Sequence, residues 1–281
     1  MSYVRTPEEI QAIQALLQPA LFTLEGVGVE FTTTHEFLRA VLPPCFGVPD
    51  APKGTARVAR WQSAVCGEYE SCAVMVNATF GDLVGSYFLT LFVSGDMPVS
   101  IGRELYGEPK KAGRGAFFRD GNEFYVYGER NGVRAVEISA TFSDELGESR
   151  TERSHAFELK ADLAPNGDML GPPSVLVFDI DLSWTRIREG TGELKFNGTP
   201  WDPVHEIPVV EVGRAQHYTG ENRYVASRRV VLDESDKYLP YVLGRHFDDL
   251  SLFPAPKRLA SLASRSTADG AVPAPPQPQR L

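Results

Sequence analysis

The sequence has few cysteines and no long hydrophobic run. The small number of cysteines argues against a disulfide framework, and the absence of a Cys-x-x-Cys spacing argues against a structural zinc site. No apolar stretch is long enough to cross a bilayer, and the first residues lack the apolar core of a signal peptide. These absences predict a cytoplasmic protein with no membrane partner. The cysteines, too few to pair completely, are Cys45, Cys66 and Cys72.

Positive charge is also scarce. The chain has 28 Lys and Arg residues against 37 Asp and Glu residues, and its formal net charge is −9. It therefore lacks the basic surface that binds a phosphate backbone, and we expect no nucleic-acid partner. There is no Walker loop, no Gly-x-Gly-x-x-Gly after a strand, no Gly-x-Ser-x-Gly and no His-Glu-x-x-His. These absences argue against a nucleotide-dependent enzyme, a serine hydrolase and a zinc protease.

Most of the chain is typical of β-strands. Short runs rich in β-branched and aromatic residues alternate with turn signals such as Asp120-Gly121 and Asn131-Gly132. Capping residues predict short helices after Thr6 and after Thr34. Because so few helices separate the strands, the pattern favours an antiparallel barrel or sandwich over a parallel α/β fold. Late in the chain, separate strands are predicted over residues 174–184, 193–196, 209–218 and 224–232.

The end of the chain has a different composition. Residues 254–281 are rich in Pro, Ala and Ser and have almost no large apolar side chains. Such a segment cannot bury enough surface to offset the entropy lost on ordering. We therefore expect a single domain over residues 1–253 and a disordered tail over residues 254–281.

One segment carries a chemical signal, because it ends in two adjacent lysines. Neighbouring lysines usually form a solvated pair. If one of them faces an apolar pocket, desolvation and the second ammonium favour its neutral form, and a neutral amine can attack a ketone to form a Schiff base. The segment reads Gly102-Arg103-Glu104-Leu105-Tyr106-Gly107-Glu108-Pro109-Lys110-Lys111.

The pattern Gly-Arg-Glu-x-x-x-x-Pro-Lys-Lys resembles the signature of the acetoacetate decarboxylase family. The similarity extends over roughly residues 21–233, with matching order at Tyr69-Glu70-Ser71, Gly85-Ser86-Tyr87 and the stretch 206–212. The resemblance implies a mainly β (α+β) fold, an antiparallel cone-shaped β-barrel with a few short helices. It also implies a homo-oligomer that binds a small keto acid and uses no cofactor and no metal.

The resemblance assigns roles by position. Lys110 would be the Schiff-base lysine, and Lys111 the neighbour whose charge favours the neutral amine. Glu70 would be a pocket glutamate close to the substrate. The remaining candidates, which would line the pocket or support the motif, are Arg103, Glu104 and Tyr106.

The sequence departs from the family pattern at two positions. The family's pocket arginine would fall near Leu24, and its second glutamate near residues 60–62, but neither residue type is present there. This departure affects the expected identity of the substrate more than the expected role of Lys110.

The resemblance implies decarboxylation of a β-keto acid through a lysine imine, with Glu70 or a water that it holds as the proton donor. Two alternatives stay open. The same lysine would serve a Schiff-base aldolase-dehydratase that joins pyruvate to an aldehyde, with Tyr106 or Tyr218 acting on a hydroxyl. The other alternative is a barrel that binds a carbonyl ligand without turning it over.

Overall fold

The computed structural model describes residues 3–143, 147–233 and 236–250. Met1–Asp248 forms one compact unit. The tail expected over residues 254–281 lies outside the described residues. Within the described ranges, every helix is too short or too polar to traverse a bilayer.

The helices are short, and the first two begin where capping residues predict. The Thr6 hydroxyl accepts a hydrogen bond from the backbone N–H of Glu9, and the Glu9 carboxylate accepts one from the backbone N–H of Thr6. Thr34 caps the second helix in a similar way. The α-helices of the described ranges are α1 (Pro7–Leu17), α2 (His35–Val41), α3 (Asp96–Ile101) and α4 (Leu239–His246).

The strands form one eleven-stranded sheet. Most neighbours are antiparallel, and the parallel pairs are β4 with β5 and β4 with β9. The strands are β1 (Ala20–Thr32), β2 (Lys53–Ser63), β3 (Gly67–Phe80), β4 (Leu83–Val93), β5 (Lys110–Ala112), β6 (Arg114–Asp120), β7 (Glu123–Arg130), β8 (Val133–Phe142), β9 (Glu148–Lys160), β10 (Ser174–Phe196) and β11 (Glu211–Val231).

The sheet closes on itself. Its order is β11-β1-β2-β3-β4-β9-β10-β8-β7-β6, and a further pairing of β10 with β11 joins β11, β1, β2, β3, β4, β9 and β10 into a ring. The structure confirms the mainly β class with a few short helices. The turns predicted at Asp120-Gly121 and Asn131-Gly132 are confirmed, each joining two antiparallel strands, and Asn131 and Gly132 both have the positive φ that a tight hairpin turn requires.

The predicted division of the late strands is wrong. Residues 174–196 form the single strand β10, and residues 211–231 form the single strand β11. Gly220, which interrupts the apolar pattern, lies in the middle of β11, where a Cβ would come within 2.8 Å of the Trp184 Cα. Glycine here permits two strands to approach closely, rather than making a turn.

Both faces of strands β1 to β3 are covered. One face points into the ring, and the other packs against β6, β7 and β8, where Val58 and Cys72 share a core with Val126 and Ile138. Because successive side chains of a strand point to opposite faces, each of these strands contributes alternate residues to the ring interior and to the outer core. This alternation decides which predicted site residues reach the cavity.

Candidate functional site

A cavity of about 220 Å³ lies inside the ring. All seven ring strands contribute to its wall, together with residues 101–110. Most of the wall is apolar or aromatic, and its aromatic side chains are Phe22, Trp61, Tyr69, Phe88, Tyr106, Trp184, Tyr218 and Tyr224. A small, mostly apolar cavity with a few polar groups is the usual form of a small-molecule site.

Lys110 and Glu108 are the charged pair buried in this cavity. Lys110 is 7% exposed and Glu108 is 8% exposed. The Lys110 Nζ lies 2.8 Å from Glu108 Oε2 and 5.7 Å from the centroid of the Tyr69 ring. The lysine that the motif singled out therefore faces an apolar cavity, with a carboxylate in direct contact with its amine.

Glu108 was not among the predicted site residues. It precedes Lys110 by two positions, and the Lys110 backbone N–H bonds to the Glu108 carbonyl across Pro109. This tight turn directs both side chains into the same cavity. The spacing Glu-Pro-Lys is the sequence signal that identifies the partner, because a three-residue turn brings its first and last residues close together.

The loop before Lys110 is shaped to hold its side chain. A Cβ added at Gly102 would lie 2.6 Å from Glu108 Oε2 and 2.8 Å from Lys110 Cε, so only glycine leaves room for both. Gly107 has a φ of 70°, the left-handed conformation that ends the turn Gly102–Tyr106. The two glycines of the motif thus help to position Lys110: one leaves space for its side chain, and the other allows the turn before it.

Arg103 and Glu104 lie outside the cavity. The Arg103 guanidinium donates to the backbone carbonyls of Lys110, at 3.3 Å, and of His246, at 2.9 Å. Glu104 is exposed, and its backbone carbonyl accepts a hydrogen bond from Lys160. Arg103 therefore supports the motif by fixing the backbone of Lys110.

Lys111 points away from the cavity. Its Nζ lies 3.1 Å from Asp202 and 3.1 Å from Asp248, and Arg130 bonds to the same two carboxylates. Lys110 and Lys111 are successive residues of β5, so their side chains lie on opposite faces. The structure thus does not place the Lys111 ammonium beside the Lys110 amine, contrary to what the resemblance implied.

Glu70 also lies outside the cavity. Its neighbours Tyr69 and Ser71 line the wall, whereas the Glu70 carboxylate accepts a 2.7 Å hydrogen bond from Ser94. A Cβ at Gly115 of β6 would lie 3.2 Å from the Glu70 Cβ, which places Glu70 on the outer face of β3. Strand alternation is again the reason. Glu108, rather than Glu70, is the glutamate in contact with Lys110.

Tyr106 lies in the cavity wall with three other phenols, Tyr69, Tyr218 and Tyr224. Burial, followed by the nearby Glu108 carboxylate, raises the pKa of Tyr106 to about 12. Burial followed by Glu108 also raises the pKa of Tyr69 and of Tyr224 well above the usual value. Burial also raises the pKa of Tyr218. All four phenols therefore stay protonated at neutral pH and can donate hydrogen bonds to a ligand.

The cavity contains an arginine that the sequence comparison did not locate. Leu24 is buried and apolar, and Arg60 is exposed over the ring of Phe117. Arg57, on β2, instead lines the cavity. It shares a face with Trp61, four residues along the strand, and this period-two pattern is the signal that would have found it.

The cavity is not built as a metal site. In the ranges that the structure describes, no three or more His, Cys, Asp or Glu side chains are grouped so that they would hold a metal ion. Cys66 lines the wall near Lys110, and burial raises the pKa of its thiol. Besides this thiol and the phenols, the wall offers the amine of Lys110, two carboxylates, two guanidinium groups and an imidazole, which belong to Glu108, Glu152, Arg57, Arg150 and His155.

Comparison with solved structures places the ring in a known fold. An acetoacetate decarboxylase from Legionella pneumophila superposes with a TM-score of 0.68 at 16% identity, covering 76% of this chain and 88% of that one. The enduracididine biosynthesis enzyme MppR, complexed with the condensation product of pyruvate and imidazole 4-carboxaldehyde, superposes with a TM-score of 0.64 at 18% identity. That match covers 82% of this chain and 95% of MppR.

Sequence relatives agree with the fold. Decarboxylase DEC1 of Cochliobolus heterostrophus is 24% identical over 219 residues, which are 72% of this chain and 83% of that protein. Acetoacetate decarboxylase 2 of Mesorhizobium japonicum is 24% identical over 222 residues, 75% of this chain and 81% of the relative. The family model described as acetoacetate decarboxylase matches residues 3–234. The chain therefore belongs to the acetoacetate decarboxylase family.

Proposed function

We propose that this protein is a cofactor-independent decarboxylase that acts on a β-keto acid through a Schiff base at Lys110. The observation that carries the proposal is the buried contact of 2.8 Å between Lys110 Nζ and Glu108 Oε2 inside a mostly apolar cavity. An amine positioned there meets a ketone away from bulk water, with a proton acceptor already in contact.

The first step forms the imine. Glu108 accepts a proton from the Lys110 ammonium, and the neutral amine attacks the ketone carbon. The new C–N bond replaces the C–O bond, and the ketone oxygen leaves as water with the protons that the ammonium supplied. The resulting protonated imine is a cation, and the Glu108 carboxylate beside it stabilises that charge.

The second step releases carbon dioxide. The bond to the carboxylate carbon breaks, and its electron pair moves into the imine to give a neutral enamine. Because the charges of the carboxylate and the iminium cancel as this bond breaks, the apolar wall favours the transition state over the charged ground state. Glu108, reprotonated from solvent, then protonates the enamine carbon, and water hydrolyses the imine to free the ketone and the lysine.

Borohydride trapping tests the Schiff base. We expect incubation with 3-oxohexanoate and sodium borohydride to leave a reduced adduct on Lys110, detected by peptide mass spectrometry, together with release of carbon dioxide. The variant Lys110→Met should show neither, while the exposed-lysine variant Lys53→Met should behave as wild type. Failure of every keto acid to label Lys110 would contradict the proposal.

The role of Glu108 needs a separate measurement. Since positioned general acids and bases contribute about 10²–10⁴-fold, we expect Glu108→Gln to lower kcat by that range with the fold intact. Glu193→Gln, at an exposed strand position, is the matched control. A larger loss in Glu70→Gln than in Glu108→Gln would return the proton-transfer role to Glu70.

The two alternatives are outcomes of the same assays. A product whose mass equals that of pyruvate plus an aromatic aldehyde minus water would show that the enzyme is an aldolase-dehydratase, in which the enamine attacks the aldehyde. Binding of a ketone without an adduct on Lys110 would indicate a non-catalytic carbonyl-binding protein.

A further inference from the structure

Arg57 is a charged group in the cavity that the imine chemistry does not use. Its Nε is buried and has no hydrogen-bond partner among the residues that the structure describes. Its guanidinium lies 5.3 Å from the centroid of the Trp61 ring and within hydrogen-bonding reach of the Tyr218 hydroxyl. In the described ranges it forms no ion pair with a carboxylate. Its position therefore fits it to pair with an anion from outside the protein.

Arg57 and Lys110 stand at two ends of one row across the sheet. Arg57 pairs with Ala73 of β3, and Ala73 pairs with Leu91 of β4. Leu91 in turn pairs with Lys110 of β5. Directly paired residues point to the same face, so both long side chains project into the cavity. Three strand spacings of about 4.8 Å separate their Cα atoms by about 14 Å.

The residues that pair with Arg57 on the neighbouring strands are small, and the Tyr218 hydroxyl lies beside one of them, Gly28. Ala73, on one side, has only a methyl group. On the other side, Arg57 pairs with Gly28 of β1, which has no side chain. Arg57 and Lys110 both line the cavity of about 220 Å³, a volume that accommodates a molecule of a few carbon atoms. Asn222, 5% exposed and also in the wall, has an Oδ1 with no hydrogen-bond partner in the described part of the chain.

The chemistry decides which carboxylate Arg57 would hold. A guanidinium binds a carboxylate by paired, charge-assisted hydrogen bonds. If it held the carboxylate that leaves as carbon dioxide, this stabilisation would be lost in the transition state, and the barrier would rise. A carboxylate that the substrate keeps is held equally before and during bond cleavage. Such a contact improves binding without opposing the reaction.

We propose, building on the decarboxylase function above, that Arg57 binds a second carboxylate that the substrate retains. The substrate class is then a β-keto diacid, with its ketone at Lys110 and its retained carboxylate at Arg57. The carboxylate that is lost faces the apolar part of the wall. An arginine on β2 thus sets the specificity of the cavity.

A matched pair of substrates tests this assignment. 3-Oxoadipate loses one carboxylate and keeps the other, giving 4-oxopentanoate, whereas 3-oxohexanoate has a methyl group in place of the retained carboxylate. We expect the wild-type kcat/KM to favour 3-oxoadipate by at least about tenfold. A hydrogen bond to a charged group contributes about 1.5–3 kcal/mol, which corresponds to roughly 10–150-fold in affinity. Arg57→Gln should therefore lower kcat/KM for 3-oxoadipate by this range, mainly through KM, and leave 3-oxohexanoate within about threefold.

Arg60→Gln is the matched control, because Arg60 lies on the same strand but on the exposed face. It should leave the preference for 3-oxoadipate unchanged, and Arg57→Lys should retain part of it. An equal effect of Arg57→Gln on both substrates, or no preference in the wild type, would overturn the assignment while the Lys110 adduct still supported the decarboxylase.

A binding measurement without turnover distinguishes failure of the proposed role of Arg57 from failure of the proposed decarboxylase function. Trp61 and Trp184 line the cavity, so their fluorescence reports on ligands there. We expect 4-oxopentanoate to bind more tightly than 2-pentanone to the wild type, and the difference to disappear in Arg57→Gln. If neither keto acid is turned over, equal binding of 4-oxopentanoate to both proteins would refute the role of Arg57 by itself.

Discussion

Replacing Gly102 by alanine should displace the Lys110 side chain without destabilising the fold. Gly102 has φ −62° and ψ −43°, a right-handed helical conformation that alanine adopts readily. The added Cβ would lie 2.8 Å from Lys110 Cε, and closer still to Cδ, where carbon atoms normally stay about 3.5–4.0 Å apart. The Lys110 side chain must therefore move by about 0.7 Å or more.

The expected result is a loss of activity with little loss of stability. A displacement of about 1 Å at a reacting group can lower the rate by roughly 100-fold. The atoms that must move are the flexible ends of Lys110 and Glu108, and the substitution itself stabilises by about 0.4–1 kcal/mol because alanine restricts the unfolded chain. We expect a free energy of unfolding within about 1 kcal/mol of wild type and a roughly 100-fold slower formation of the trapped adduct.

The assay combines borohydride trapping at Lys110 with urea unfolding. Gly244→Ala is the matched control, since Gly244 lies in helix α4 and an added Cβ would meet nothing within 4 Å. It should trap adduct at the wild-type rate. A Gly102→Ala variant that traps adduct within about threefold of wild type would refute the steric reasoning, as would one that unfolds before any substrate is added.

Two further predictions concern buried charge away from the cavity. Lys111→Met leaves Asp202 and Asp248 with a single cation, so we expect urea unfolding to show a loss of about 3 kcal/mol while Lys110 is still trapped by borohydride; loss of trapping at unchanged stability would instead show that Lys111 acts on the amine. Burial raises the pKa of Glu158 to about 8, although Arg245 lies 2.7 Å away and opposes the rise. Between pH 4.5, the usual pKa of a glutamate, and about pH 8, Glu158 therefore keeps a proton in the folded chain that it has lost in the unfolded chain. The free energy of unfolding should fall as the pH rises through this range. The fall should be smaller in Glu158→Gln, and an equal slope in both proteins would contradict the assignment.

Local rules accounted for a good part of the architecture. Thr6 and Thr34 begin helices because their hydroxyls satisfy backbone N–H groups of the first turn. Asn131-Gly132 makes a hairpin because both residues accept positive φ. The division of the late strands failed at Gly220, because glycine marks both turns and close approaches, and only the packing of β10 against β11 distinguishes them.

The candidate site shows where sequence patterns stop. The motif identified Lys110, and the structure places it in a cavity. The sequence pattern did not identify Glu108 as a site residue, and it placed Lys111 and Glu70 in the pocket. Adjacent residues of a strand point to opposite faces, so a motif that lists neighbours does not say which of them meet a substrate.

The sequence by itself determined the β-rich class, the helix caps, the hairpins and the lysine that could carry the chemistry, because each depends on residues close together in the chain. Only the tertiary structure decided what surrounds that lysine. The pairing of β2 with β3, of β3 with β4 and of β4 with β5 brings Arg57 into one row with Lys110, although 53 positions separate them. Strand pairing sets such rows, and pairing depends on the register of the whole sheet rather than on any single segment.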